Sequence, residues 1–257
     1  MKNKKKNSSV DIIIPNFNKD KYLDECVNSV LNQTYKNWKL YIIDDCSTDK
    51  SLKYLHKYKN NKKIEIISLQ KNKGPSYCRN IGLSKSKNYF IAFLDSDDFW
   101  HKNKLKLQIS FMIKNNYNFT YSDYFTFKDG NFKKNNMPTR LKNSFNFNEF
   151  IKNSSINSST LILTRKAIKN IRFKNLELLE DYIFKCEILK KKITANKINR
   201  KLAFYRLNKL NRSKNKLLNA LCLWKVNKKF NKLNFLDNLI SVILISVNSF
   251  KKYGFIK

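Results

Sequence analysis

Residues 90–100, FIAFLDSDDFW, run from five apolar side chains directly into Asp95-Ser96-Asp97-Asp98. This reads as a buried strand that ends in a cluster of like charges. Three similar units precede it. Val10–Ile14 (VDIII) stops at Pro15, Leu40–Ile43 (LYII) runs into Asp44 and Asp45, and Ile64–Leu69 (IEIISL) leads to a turn at Lys73-Gly74-Pro75. Segments of helical period lie between them. Asp20 to Gln33 puts Tyr22, Leu23, Cys26, Val27, Val30 and Leu31 on one face; a second helix runs through Leu52, Leu55 and Tyr58 with Ser47 or Thr48 as its cap; a third runs from about Ser76 to Leu83. Apolar strands alternating with helices predict an α/β fold: a mostly parallel, doubly wound sheet with helices on both faces.

Beyond the acidic cluster the pattern changes. A helix is expected over about Lys102 to Lys114, a strand over Phe119–Thr126, and a polar loop over Lys128 to Asn148. Another strand is expected at Ser159–Leu163, a helix at Leu178–Lys190, and a last strand at Leu202–Leu207. From about Lys214 the chain reads as helix only, so the division is a domain over 1–213 and a helical C-terminal extension over 214–257. In that extension Leu236, Leu239, Ile240, Ile243, Leu244 and Val247 recur at helical spacing, with Lys225, Lys228, Lys229 and Lys232 before them and Lys251 and Lys252 after. Two readings fit: a helix packed on the domain, or an amphipathic segment lying on an anionic membrane surface.

Composition bounds the function. The 257 residues hold 42% hydrophobic side chains with only 4 Gly and 3 Pro, which excludes collagen-like and low-complexity chains. The net charge of +34 invites a nucleic-acid reading, but only seven of the 53 basic residues are Arg, the side chain that reads bases and phosphates bidentately. Lys and Asn rise together along the chain, as AT-rich coding produces, and no zinc-finger, RRM or helix-turn-helix pattern is present. A basic anionic-polymer binding protein is therefore the alternative reading, and nucleic acid is not expected as a partner. Five scattered cysteines (Cys26, Cys46, Cys78, Cys186 and Cys222) without a C-x-x-C predict reduced thiols, and the basic, polar start carries no secretory signal pattern. A cytoplasmic location is expected.

With only 19 acidic residues, their grouping is informative. Asp44-Asp45 and Asp95-Ser96-Asp97-Asp98 stand at carboxyl ends of strands, where open α/β sheets bind ligands. Like charges gathered there require a neutralising cation: a Lys or Arg, or a divalent metal held by hard oxygens.

These residues resemble the family-2 glycosyltransferases, which have the GT-A fold and use nucleotide-sugar donors. The resemblance runs from about Val10 to Ser213, in order: VDIIIPNFNKDKYLDECVNSVLNQTY, LYIIDDCSTDKS with Cys46 in place of the usual Gly, NKGPSYCRNIGL, FIAFLDSDDFW and LLEDYIFKCEI. It implies inverting transfer of a sugar, by default from a UDP-sugar, to a glycan or lipid-linked acceptor in cell-surface polysaccharide or lipid-linked oligosaccharide assembly. It also implies a donor-binding half over 1–100 and an acceptor-binding half over 101–213. Pro15, Phe17 and Asn18 are expected at the nucleotide base, with Asp45, or alternatively Asp44, accepting its N–H. Gly74, Arg79, Asn80, Asp95, Ser96 and Arg206 complete the donor site; Arg79 holds the D-x-D loop or the phosphates, or is a structural ion-pair partner. Asp97 and Asp95 are the expected ligands of Mn²⁺ or Mg²⁺, and Asp98 is either a third ligand or a helix cap. Asp181 is the expected general base, beside Glu180; capping of their helix is the alternative. Asn208 stands where relatives carry a His, and Arg212 follows it; a catalytically degenerate relative is the reading that this departure leaves open.

Overall fold

The computed structural model describes residues 8–128, 138–139, 141–207 and 216–253. In chain order the strands are β1 (Val10–Asn16), β2 (Trp38–Asp44), β3 (Ile64–Ser68), β4 (Phe90–Phe93), β5 (Phe99–Trp100), β6 (Phe119–Phe127), β7 (Pro138–Thr139), β8 (Ser144–Phe145), β9 (Ile162–Thr164) and β10 (Ala195–Arg206). The principal helices are α1 (Asp20–Leu31), α2 (Ser51–His56), α3 (Pro75–Lys85), α4 (Lys104–Asn115), α5 (Glu180–Leu189), α6 (Lys216–Val226) and α7 (Phe235–Tyr253).

One sheet runs in the order β3-β2-β1-β4-β9-β6-β10-β5, with β7 added to β6 and β8 to β10. The pairs β3·β2, β2·β1 and β1·β4 are parallel, as the alternation predicts. Beyond β4 the sheet is mixed: β9 runs antiparallel to both β4 and β6, β10 runs parallel to β6, and β5 runs antiparallel to β10. β1 and β4 are buried on both faces, which explains their apolar character; the one charge within β1, Asp11, is buried and accepts from Lys87 N and Asn88 N.

Several expectations need correction. The helix after β2 starts at Ser51 and is capped by neither Ser47 nor Thr48, because the Ser47 hydroxyl donates to Asp44 (2.7 Å) instead. The Ser159 strand begins only at Ile162; Ser158–Thr160 form a single tight turn. The last strand extends back to Ala195, with register shifts between Ile198 and Ala203. The polar stretch read as a loop contains β7, β8 and a one-turn helix, Phe147–Phe150, with a capping box between Asn146 and Glu149. Residues 129–137 and 140 of that stretch lie outside the described residues.

Two contacts fix the first half. Gln33, fully buried, donates to the carbonyls of Ser29 and His101 and accepts from Leu105 N, so it ties the end of α1 to the start of α4. Gly82 lets α3 lie directly on β1: a Cβ there would meet Ile13 Cγ2 at 2.5 Å. Among the described residues all five cysteines are free, as their spacing predicts.

Candidate active site

β2 and β4 flank β1, and both end in acidic residues. At β2, Asp44 is completely buried; it accepts from Ser47 N (2.9 Å), Ser47 Oγ (2.7 Å) and Asn16 Nδ2 (2.7 Å). Asp45 accepts from Lys73 N (2.7 Å) and Gly74 N (2.8 Å), which pins the loop that starts α3. Gly74 has φ +84, and a side chain is disfavoured in that backbone state. Asn18 (φ 50) uses Oδ1 to accept from Thr48 N (2.8 Å), locking the two strand-end turns together. Phe17, beside it, is exposed, leaving its ring free to receive a flat ligand. Pro15 lies within β1 and is buried.

At β4 the partners are cations. Asp95 accepts from Arg79 NH2 (2.8 Å), and Asp97 pairs with Lys19 Nζ (2.7 Å), which reaches over from the turn after β1. Ser96 is buried between them. Asp98 is neither a helix cap nor an outward ligand. It is buried, accepts from Ser159 Oγ (2.6 Å) and Arg206 N (3.0 Å), and burial followed by the charges of Asp97 and Asp95 pushes its pKa well up. Among the described residues no group of three His, Cys, Asp or Glu side chains could hold a metal, so the three-carboxylate set expected from the sequence is not formed. Asp95 and Asp97 remain. One or two carboxylates plus substrate phosphates is how Mg²⁺ is usually held, and the Lys19 ammonium on Asp97 stands in for such a cation, so the donor set fits one.

Arg79 joins this cluster to the next. Its NH1 meets Glu180 Oε1 (3.2 Å) while NH2 holds Asp95. Burial opposes its charge, but the two carboxylates outweigh that and raise its pKa. Asn80 does not face a ligand: it brackets the backbone of Phe173 with two hydrogen bonds of 2.9 Å, and the Phe173 ring lies 5.3 Å from the Arg79 guanidinium. The Arg-Asn pair is thus a bridge together with its aromatic support.

Asp181 sits in the first turn of α5 and is half-buried. It accepts from the buried Lys185 Nζ (2.6 Å) and Ser158 Oγ (3.3 Å). Burial would raise its pKa, but Lys185 first and Arg79 next lower it on balance, so it is ionised at neutral pH. Arg206, expected at the donor, is buried beneath the D-x-D turn. Its Nε donates to the Asp97 carbonyl (2.9 Å), its guanidinium pairs with Glu25 of α1, and it lies 4.4 Å from the Tyr22 ring. Asn208 and Arg212 lie outside the described residues. The sequence reading missed Lys19, Lys185, Ser158 and Ser159; the only signal for the two lysines was position, directly after the first strand-end turn or one helical turn beyond the acidic pair, and the serines carried none.

Residues 11–172 match the family described as Glycosyl transferase family 2. The chain is 33% identical to the Escherichia coli UDP-Glc:alpha-D-GlcNAc-diphosphoundecaprenol beta-1,3-glucosyltransferase WfgD, over 96% of this chain and 95% of that one. Among solved structures, Staphylococcus aureus TarS in complex with UDP-GlcNAc superposes with a TM-score of 0.70 at 20% identity, covering 96% of this chain and 76% of that one. The Pyrobaculum calidifontis mannosyltransferase PcManGT, in complex with GDP-Man and Mn²⁺, gives 0.67 at 11% identity, over 95% of this chain and 75% of that one. The fold is that of the GT-A glycosyltransferases.

Proposed function

The chain belongs to glycosyl transferase family 2 and is a glycosyltransferase; from that premise we propose that it moves a single sugar from a UDP-sugar to a lipid-linked acceptor, with inversion and with a divalent cation at Asp95 and Asp97. The acceptor hydroxyl loses its proton to Asp181 as its oxygen bonds to the anomeric carbon. The bond from that carbon to the diphosphate breaks on the opposite face. When bound, the cation offsets the charge that develops on the departing diphosphate. Lys185 keeps Asp181 ionised, as a base must be before it accepts a proton.

The observation that carries this reading is the Arg79 bridge. One guanidinium holds Asp95 of the D-x-D turn and Glu180 next to Asp181, which couples the donor end of β4 to the helix bearing the base. Exposed Phe17 and the Asp45-pinned loop support the nucleotide at the ends of β1 and β2. The lipid-linked acceptor class is taken from the name of the Escherichia coli relative, whose acceptor is a diphosphoundecaprenol. The enzyme then works as a peripheral protein at the cytoplasmic face of a membrane.

The test is a panel of nucleoside-diphosphate sugars incubated with the purified chain, Mn²⁺ or Mg²⁺, and a short-chain lipid-diphosphate-linked sugar. We expect release of UDP from one UDP-sugar and none in EDTA. No turnover of any donor would overturn the reading, and full turnover in EDTA would remove the cation from it.

A further inference from the structure

We propose that the outer face of α6 and α7 is a docking surface for an anionic lipid bilayer. Its purpose rests on the acceptor reading above, while the surface itself stands on geometry. α7 packs Val242 and Ile245 against the core but leaves many of its apolar side chains outside. Among its described side chains the most deeply buried are polar, Asn238 and Ser241. Asn238 Nδ2 donates to the Trp224 carbonyl (3.0 Å), and Ser241 Oγ donates to the Ile151 carbonyl (2.5 Å) while accepting from Asn227 Nδ2 (2.9 Å). Asn238 and Ser241, two polar positions within the apolar run, therefore attach the helix to the protein. Of the two sequence readings of this segment, the packing of the helix on the domain is observed, and an apolar stripe is left outside.

That stripe is broad. Phe235 is 72% exposed, Leu236 64% and Ile243 51%; on α6, Leu217 is 73% and Leu221 53%. The Trp224 and Phe235 rings meet edge-on with centroids 5.4 Å apart, so the two helices present one surface. A soluble monomer rarely leaves an apolar patch of this kind uncovered.

Charge selects the occupant. Lys225 in the last turn of α6, and Lys228, Lys229 and Lys232 on the segment joining α6 to α7, are all exposed. A second copy would bring another +34 against this face, and the two would repel. Anionic headgroups are attracted instead, each nearby lysine raising the affinity by about fivefold. Among the described residues no helix is long and apolar enough to cross a membrane, so the fit is to the interface and not the interior. The surface is also tied to the chemistry. Asn227, at the end of α6, accepts from the hydroxyl of Tyr182 (2.9 Å), the residue after Asp181, and Asn231 reaches Cys186 of the same helix (3.6 Å).

The experiment uses the full chain with no donor or acceptor present. Vesicles of phosphatidylcholine, with or without roughly a third phosphatidylglycerol, carry brominated acyl chains. Co-sedimentation reads binding, and bromine quenching reads Trp224 directly, since Trp38 and Trp100 are buried in the core. We expect binding to the anionic vesicles only, lost in about 0.5 M NaCl, with Trp224 quenched. Leu236→Glu and Ile243→Glu should each weaken it by about tenfold or more, as should Lys228→Glu with Lys229→Glu. Leu217→Ser with Leu221→Ser provides a milder variant on the other helix, and the quenching of the parent chain decides the matter if any variant fails to fold. Unquenched Trp224, or glutamate variants that bind like the parent, would overturn the proposal. So would a dimer in light scattering that the glutamate variants dissolve while vesicle binding is absent. Donor turnover measured without vesicles tests the transfer reaction separately, so the failure of one leaves the other standing.

Discussion

The two strands beside β1 end alike in sequence and differently in partners. After β2, Asp44 and Asp45 are neutralised by backbone amides, a hydroxyl and an amide side chain, all within the turns they hold. After β4, Asp95 and Asp97 face Arg79 and Lys19, which arrive from other elements, and Asp181 pairs with Lys185 one turn further along its own helix. A carboxylate that holds backbone N–H groups fixes a loop and cannot release them without unfolding it. A carboxylate paired with a side-chain ammonium can exchange that cation for a metal, a substrate or a proton. On the proposed function, Asp44 and Asp45 are scaffold on one side of β1, and Asp95 and Asp97 serve the chemistry on the other.

The sharpest way to break this contrast is to change a carboxylate on each side. Asp181→Asn keeps an oxygen for Lys185 but removes the proton acceptor, so kcat should fall by ~10²–10⁴ with little change in donor KM, in single-turnover assays. Asp44→Ala should do the reverse. It strips the partner from Ser47 N and Asn16 Nδ2 in a fully buried place, costing about 2–3 kcal/mol of stability in urea melts while each folded molecule keeps its rate. If Asp44→Ala abolished turnover in protein that melts like the parent, the scaffold assignment would fail.

Lys104 sharpens the contrast from the opposite side, as a buried cation with no carboxylate. Among the described residues it donates to Gln108 Oε1 (2.6 Å) and the Thr160 carbonyl (3.1 Å), and burial lowers its pKa to about 7. The unfolded chain, with a lysine pKa near 10.4, binds the extra proton between those values. Stability therefore rises with pH across that window, by at most about 1.4 kcal/mol for each pH unit from this group, and the penalty is complete below pH 7. Lys104→Met should flatten the slope, read as the difference between parent and variant melts at several pH values. An unchanged difference would mean that Lys104 stays charged in the fold.

Much of this was legible from the sequence, for physical reasons that differ by region. β1 to β4 are apolar runs set by local periodicity, and their residues announce them. β5, β7 and β8 are two residues long, and β10 carries Lys, Asn and Arg on its half-exposed positions, so only pairing with distant strands makes them strands. In the site, Asp95, Asp97, Arg79, Glu180 and Asp181 were legible because the acidic residues are scarce and Arg scarcer. Lys19 and Lys185 were not, since in a chain where all but seven of 53 basic residues are Lys, a single lysine carries no signal. Asn80 and Arg206 stand in the right motifs, but their hydrogen bonds turn them inward to brace Phe173 and the D-x-D turn.

The smallest expected effect lies in the scaffold turn itself. Cys46, where the family pattern has Gly, adopts φ 63, a left-handed conformation that costs a side-chain-bearing residue about 1–2 kcal/mol. Its thiol makes one weak contact, to the Gln70 carbonyl at 3.6 Å. Cys46→Gly removes the strain and loses little packing, but it adds freedom to the unfolded chain, which takes back part of the gain. The net should be a stabilisation of about 0.5–1 kcal/mol, or about 2 °C in Tm for a chain of this size, with kcat unchanged. Because the turn between Asp45 and Ser47 is scaffold, relieving it should move the melting curve and leave the rate alone. A faster or slower enzyme at unchanged Tm would place Cys46 among the residues that touch the donor, and the β2 end would join the chemistry.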